Sequence, residues 1–209
     1  MEIDKDNLEN LNSLAELGLL STSLLHDLSN LLSDEVVANV PEVRNLFSIY
    51  KEILTKNEDK INIQVGKELN GVFALLKTKA KENRVKLEAN VPKGLIINGS
   101  RSKFIMIFLN LISNAIDASP KRSVVEVVAI EDPNDSKHVL ISVIDQGEGI
   151  SKHIQKKIFD AFFTTKGSKG TGLGLFFVKS ILEKDLGGKI SVLSQKGKGS
   201  TFIVRFRLL

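Results

Sequence analysis

The sequence predicts an α+β fold: an N-terminal αα-hairpin, then a sandwich in which helices cover one face of a mostly antiparallel sheet. Three observations carry the prediction. Apolar residues recur at helical spacing up to Leu54 and switch to strand-like alternation at Ile61, Ile63 and Val65. Beyond that switch, strands and helices come in separate runs, the pattern of an α+β sandwich. Three glycine-rich turns punctuate this second part: Asp145-Gln-Gly147-Glu-Gly149, Gly170-Thr171-Gly172-Leu173-Gly174 and Gly197-Lys-Gly199.

Composition sets the bounds. The 209 residues are 42% apolar and 26% charged, ordinary for one or two globular domains. No apolar run approaches the ~20 residues of a membrane span, and the acidic start, Met1 to Asp6, lacks the apolar region of a signal peptide. The absence of cysteine excludes disulfides and thiolate metal sites. A cytoplasmic protein is the expectation. The net charge of +4 reads as a solvated lysine-rich surface; without a basic block interleaved with aromatics, nucleic acid is not an expected partner.

Residues 4 to about 39 read as one long helix, begun by Asp4 or Asp6 and uninterrupted before Pro41. Leu17, Leu20, Leu24, Leu28 and Leu31 form its apolar arc. His26 and Asn30 fall on the opposite side, among Thr22, Ser29 and Ser33, so His26 is expected exposed among small polar neighbours. Val43, Leu46, Phe47, Tyr50, Ile53 and Leu54 give a second amphipathic helix, completing a hairpin. One such hairpin cannot bury its wide apolar face alone, whereas two copies can, as a homodimeric four-helix bundle. The polar run Lys56 to Lys60 marks the boundary, giving domains 1–59 and 60–209.

In the second domain the expected order is as follows. A strand at 61–65 leads to a helix at 66–82 with Leu69, Val72, Phe73 and Leu76 in the core. Val85 to Val91 and Leu95 to Asn98 are strands on either side of the Pro92-Lys-Gly94 turn. Residues 101–118 are helix, with Ile107, Leu109 (or Phe108), Leu111, Ile112 and Ile116 inward. Val124 to Ile130 and Val139 to Asp145 are strands joined through Asp132 to Asp135. A short helix at 151–158 precedes a loop rich in Thr, Lys and Gly. A helix at 173–185 turns Leu175, Val178, Ile181 and Leu182 inward and stops at Gly187-Gly188. Ile190 to Leu193 and Thr201 to Leu208 close the chain as a hairpin.

The chemistry sits in the helix at 101–118 and the glycine turns. Asn110 and Asn114 are four residues apart and share one helix face, where half-buried amides need partners. The turn at 170–174 opens a helix, so free backbone N–H groups and the positive helix end can face an anion, with Lys166 and Lys169 adding charge. Neither it nor Gly197 to Thr201 has the spacing of a P-loop or a dinucleotide fingerprint. Asp145 ends an apolar strand, where its carboxylate can accept from an exocyclic amine such as that of adenine; Gly147 and Gly149 let the backbone approach a flat ring. Amide pair, glycine turns and an exposed His together read as a protein that binds a phosphorylated nucleotide and moves its phosphoryl group.

In this order and spacing, residues 60–209 resemble the ATP-binding catalytic domain of two-component sensor histidine kinases, in the superfamily shared with gyrase-type ATPases, Hsp90-type chaperones and mismatch-repair proteins. Asn110 to Ala118 resembles the N-box, Asp145 to Gly149 the G1 box, Ile158 to Lys166 the F-box and Gly170 to Leu175 the G2 box. The last glycine turn resembles Gly197-Lys-Gly199-Ser-Thr201-Phe202, and Leu25-His26-Asp27-Leu28-Ser29-Asn30 resembles the phosphoacceptor H-box of the dimerisation domain. Leu31 and Ala161 stand where the family often has Pro, and Ser200 where Thr is usual.

The resemblance implies a Bergerat-type sandwich with a mixed, mostly antiparallel sheet, and ATP and Mg²⁺ as cofactors. It implies that Asn114 holds Mg²⁺, that Asn110 supports the phosphates and that Asp145 selects adenine. Asp117, Gly147, Gly149, Gly170, Thr171, Gly172, Leu173, Gly174 and Thr201 would complete the nucleotide site through their boxes. Residues 159–172 would form the ATP lid, anchored by Phe159 and Phe162 and including Thr165 and Lys166. His26 would attack the γ-phosphoryl group, Asp27 would hold its tautomer and accept the proton, and Asn30 would orient water for dephosphorylation. The gyrase and chaperone branch carries a water-activating Glu four residues before the Mg²⁺-binding Asn; Asn110 occupies that place here and is no base. The expected partners are a second copy of the chain, the receiver domain of a response regulator and an upstream sensor. The rival readings are a phosphotransfer relay protein with a non-catalytic ATP-like domain, and an ATP-dependent serine kinase or partner-binding switch.

Overall fold

The computed structural model describes residues 60–160, 163–166, 172 and 174–208. The expected hairpin, with His26, Asp27 and Asn30, lies outside the described residues. Two compact units emerge, one of residues 59–160 with 174–209 and one of residues 1–58 with 161–173; the first holds nearly every described residue.

That first unit is an α+β sandwich. Its strands are β1 (Ile61–Gln64), β2 (Lys86–Asn90), β3 (Ile96–Gly99), β4 (Val124–Glu131), β5 (His138–Asp145), β6 (Lys189–Ser194) and β7 (Ser200–Arg207). Its helices are α1 (Val65–Asn83), α2 (Arg101–Ala118) and α3 (Gly174–Ile181). The main sheet runs β2-β4-β5-β7-β6, antiparallel except where β2 pairs parallel with β4. The expectation of one sheet needs correction: β1 and β3 form a separate antiparallel pair, joined to the end of the chain by a bridge from Ile97 to Leu208.

Alternation along the strands sets the core. Val125, Val127, Val139, Ile141, Val143, Phe202, Val204 and Phe206 all face the helices and are buried, because successive side chains of a strand point to opposite faces. Helix α2 lies against them with Phe104, Ile107, Phe108, Leu111, Ile112 and Ile116 fully buried. Phe104 meets Phe108 in a tilted ring contact at 4.6 Å and approaches Phe206 at 5.9 Å, which ties α2 to β7. Ser100 caps α2 by accepting from the Lys103 N–H at 3.3 Å. Leu69, Val72 and Leu76 of α1 are core as expected, while Phe73 and Leu175 are only half-buried and Val65, Ala80 and Phe177 take up the remaining interior.

Two expected helices differ. Residues 151–158 form successive tight turns ending in a short 3-10 turn at Lys157–Phe159: backbone bonds run three residues back from Ile154 to Ser151 and from Lys157 to Ile154, with a single four-residue bond from Ile158 to Ile154. The last helix keeps α geometry only to Ile181 and widens into a π turn over Leu182–Leu186, which ends at Gly187 in the left-handed region. At the far end of the sheet, the β4–β5 loop is clasped by Arg205, which donates to Asp132 at 2.6 Å and to Asp135 at 2.9 Å. The Arg205 guanidinium holds the Asp132 carboxyl below its ordinary value.

Candidate functional site

One end of the sandwich gathers α2, the N-terminus of α3, and the loops that follow β5 and β6. Asp145 is the last residue of β5 and is 5% exposed. Its Oδ1 accepts from the Gly147 N–H at 2.8 Å and from the Ser200 N–H at 3.1 Å. Burial pushes this carboxyl above its ordinary value, against the opposing pull of those N–H groups and the Ser200 hydroxyl.

The two glycines of the loop are there for close approach. A Cβ on Gly147 would lie 2.5 Å from the Ala118 carbonyl oxygen, at the end of α2. Gly149 has φ of +68° and abuts the Gln195 carbonyl, so no side chain fits there. Opposite it, Gly199 has φ of +82° and abuts the Asp145 carbonyl. Ser194 stitches the two loops: its hydroxyl accepts from the Ile150 N–H at 2.7 Å and lies 2.8 Å from the Gly199 carbonyl and 3.0 Å from the Ser200 hydroxyl. Gln155 adds bonds to the Ile150 and Ser194 carbonyls at 2.8 and 2.9 Å.

The asparagine pair meets the start of α3. Asn110 donates its amide N–H to the Met106 carbonyl at 3.0 Å, which leaves Oδ1 facing Gly174. A Cβ on Gly174 would lie 2.7 Å from Asn110 Oδ1 and 3.9 Å from Asn114 Nδ2. Asn110, Asn114 and Gly174 therefore share one spot, beside the free N–H groups and positive end of α3. On the other side of the pair, Lys79 of α1 donates to Ser113 at 2.6 Å and pairs with Asp117 at 2.7 Å.

Two features were not legible in the sequence. Thr201 was the expected contributor from the last glycine turn, but strand alternation sets Thr201 on the opposite face of the sheet from Asp145; Ser200, buried, is the residue beside it. Lys79 carries no motif; only its place three residues after core residue Leu76 and beside Ala80 hinted at the edge of the helix interface. Phe159 is half-buried at the end of its 3-10 turn. Thr165, Lys166 and Gly172 belong to the second unit: Thr165 and Lys166 are exposed, and Gly172 has φ of +68°. Gly170, Thr171 and Leu173 lie outside the described residues.

A buried carboxylate at the end of β5, and two amides at a helix N-terminus, suit a ligand with an amine-bearing ring at one end and anionic groups at the other. Residues 99–209 match the family of histidine kinase-, DNA gyrase B- and HSP90-like ATPases, and the chain belongs to that family. The described residues form a catalytic core of the two-component histidine kinase type. Sporulation kinase A of Bacillus subtilis is 36% identical over 152 residues, which is 72% of this chain and 24% of that protein. The catalytic domain of histidine kinase ThkA superposes with a TM-score of 0.65 at 26% identity, covering 72% of this chain and 97% of that one. ThkA in complex with response regulator protein TrrA shares the fold at a TM-score of 0.61 and 20% identity, covering 97% of this chain and 59% of that one. The chain thus spans about a quarter of the length of the sporulation kinase.

Proposed function

We propose that the protein is an ATP-dependent histidine protein kinase: it transfers the γ-phosphoryl group of ATP to His26 and passes it on to an aspartate of a separate response regulator. The observation that carries the reading is the meeting of Asn110, Asn114 and Gly174 at the start of α3, with buried Asp145 leading into a loop whose Gly147 abuts the end of the same helix α2 at Ala118. Asp145 accepts from the adenine amine, and the helix end at Gly174 receives the phosphates.

Asn110 decides between transfer and hydrolysis. An amide cannot take a proton from water, so the site lacks the general base that a plain ATPase needs at this place. His26 supplies the nucleophile instead: a ring nitrogen bonds to the γ-phosphorus as the bond to the bridging oxygen breaks and ADP leaves, with Asp27 taking the imidazole proton. Asn30 orients water when the phosphorylated regulator is hydrolysed. Residues 1–59 act as the dimerisation and phosphotransfer hairpin, paired with a second copy as a four-helix bundle, and residues 60–209 as the catalytic domain. Thr165, Lys166, Gly170, Thr171, Gly172 and Leu173 belong to the lid over the nucleotide, and an upstream sensor supplies the signal. Consumption of ATP places the reaction in the cytoplasm; among the described residues no helix is long and apolar enough to cross a membrane.

Magnesium fits the donor set. Among the described residues there is no cluster of three or more His, Cys, Asp or Glu that could cage a metal. An amide oxygen at Asn114 suits a hard ion that keeps its waters and takes phosphate oxygens as further ligands. Bound there, Mg²⁺ would supply charge neutralisation at the phosphates.

Titration of a fluorescent ATP analogue, with ATP, ADP and GTP as competitors, tests the reading. Binding is expected to strengthen with Mg²⁺ and to favour adenine, and Asn114→Ala should weaken it roughly ten- to hundredfold, the loss of one contact to a charged group. Equal binding with and without Mg²⁺, unaltered in Asn114→Ala, would overturn it.

A further inference from the structure

Ile150 is where the glycine loop after β5 ends, and both of its backbone groups are held by side chains. Its N–H donates to the Ser194 hydroxyl at 2.7 Å, and its C=O accepts from the Gln155 amide at 2.8 Å. The same Gln155 nitrogen donates to the Ser194 C=O at 2.9 Å. An amide nitrogen carries two hydrogens, and Gln155 gives one to each of two separate loops. Ile150, Gln155 and Ser194 thus close a clamp between the glycine loop and the end of β6.

The clamp reaches Asp145 by two routes. Along the chain, the loop is fixed at its start by the Gly147 N–H on Asp145 Oδ1 at 2.8 Å and at its end by Ile150. Across the sheet, Ser194 Oγ lies 3.0 Å from Ser200 Oγ, and the Ser200 N–H donates to Asp145 at 3.1 Å. Gln155 itself is bonded to neither Asp145 nor the loop glycines. Without its amide, two half-buried carbonyls lose a donor, and a network of this kind stays rigid only while its members are paired.

We propose that Gln155 is a positioning residue for base selection: it pins the far end of the glycine loop, so that the ring is held in register with Asp145 and a purine bearing an amine is told from one bearing a carbonyl in its place. The proposal rests on the nucleotide reading above and assigns its selectivity to a side chain outside the ring's contacts.

The test uses the full chain with Gln155→Leu, Gln155→Met, Ser194→Ala and the double variant Gln155→Leu/Ser194→Ala. ADP and inosine diphosphate, which differ at the amine, compete with a fluorescent ATP analogue at fixed Mg²⁺. In Gln155→Leu, ADP should weaken by about tenfold and inosine diphosphate by less than about twofold, the size expected for one lost hydrogen bond at the ring. Gln155→Met keeps the length without the donor and should repeat the result, which covers a leucine variant that fails to fold. Ser194→Ala should lower the preference as well, and the double variant should lower it little further than Gln155→Leu, because both act on one clamp. Equal weakening of the two nucleotides would mean a general loss of structure and overturn the proposal, as would an unchanged preference. Hydrogen exchange without ligand separates the two readings: in Gln155→Leu the Gly147 N–H should exchange about tenfold faster while the Gly188 N–H, bonded to the Leu182 carbonyl, keeps its rate. Wild-type protein that binds no nucleotide, with Gly147 exchange raised in the variant, would sink the nucleotide reading and leave the clamp standing; unchanged Gly147 exchange would remove the clamp.

Discussion

Replacing Asp145 by Asn is expected to lower the affinity for ADP by about 10- to 100-fold, the loss of a charged acceptor worth about 1.5–3 kcal/mol in a buried site. The amide of Asn can still accept from the Gly147 and Ser200 N–H groups, so the loop stays in place while the charge facing the ring is lost. The pH profile separates this from a folding defect. Burial holds the Asp145 carboxyl above its ordinary value. A raised acid is protonated more readily in the folded than in the unfolded chain, so its ionisation opposes folding as pH rises from the ordinary value through the raised one. Nucleotide binding runs the other way, because the amine needs the ionised form. Affinity should therefore fall about tenfold per pH unit once pH drops below the raised value. Asp145→Asn should lack that step. Isothermal titration of ADP across pH reads both effects, and an equal pH dependence in the two proteins would remove Asp145 from the contact.

Gly149→Ala should destabilise the fold by about 3 kcal/mol, combining left-handed strain of about 1–2 kcal/mol with a steric conflict against a fixed carbonyl. The conflict is specific, since the new Cβ would meet the Gln195 carbonyl. Gly197 is the internal control. It has φ of +82° but nothing within 4 Å of its would-be Cβ, so Gly197→Ala should lose only about 1 kcal/mol. Urea unfolding of the two variants gives the comparison; equal losses would mean that the Gly149 loop is not pressed against the loop after β6 in solution.

Legibility in the sequence followed the strength of periodicity. Helix α2 and strands β4, β5 and β7 carry long, clean apolar patterns, and their bounds lie within a residue or two of those expected. The glycine turns were legible because left-handed backbone and close approach admit few other residues, as at Gly149 and Gly199. The parallel entry of β2 and the separate β1–β3 pair were not, since pairing is decided by distant partners. Ser200 illustrates the same point: alternation says that Ser200 and Thr201 face opposite ways, but only the register Asp145↔Ser200 says which one meets the carboxylate. Residues 151–158 offered Ile154 and Ile158 at helical spacing, yet the Gln155 amide is drawn to the Ile150 and Ser194 carbonyls, and the chain makes turns instead. Lys79 escaped notice because its meaning lies in a second helix.

The central claim, phosphoryl transfer to His26, is tested most directly by incubating the chain with γ-labelled ATP and Mg²⁺ beside His26→Ala. The account expects wild type to acquire an acid-labile, alkali-stable label that His26→Ala lacks while still binding nucleotide. Label of equal amount in His26→Ala would contradict it by placing the acceptor elsewhere, and nucleotide binding without any label would make the protein a relay fed in reverse by a phosphorylated receiver.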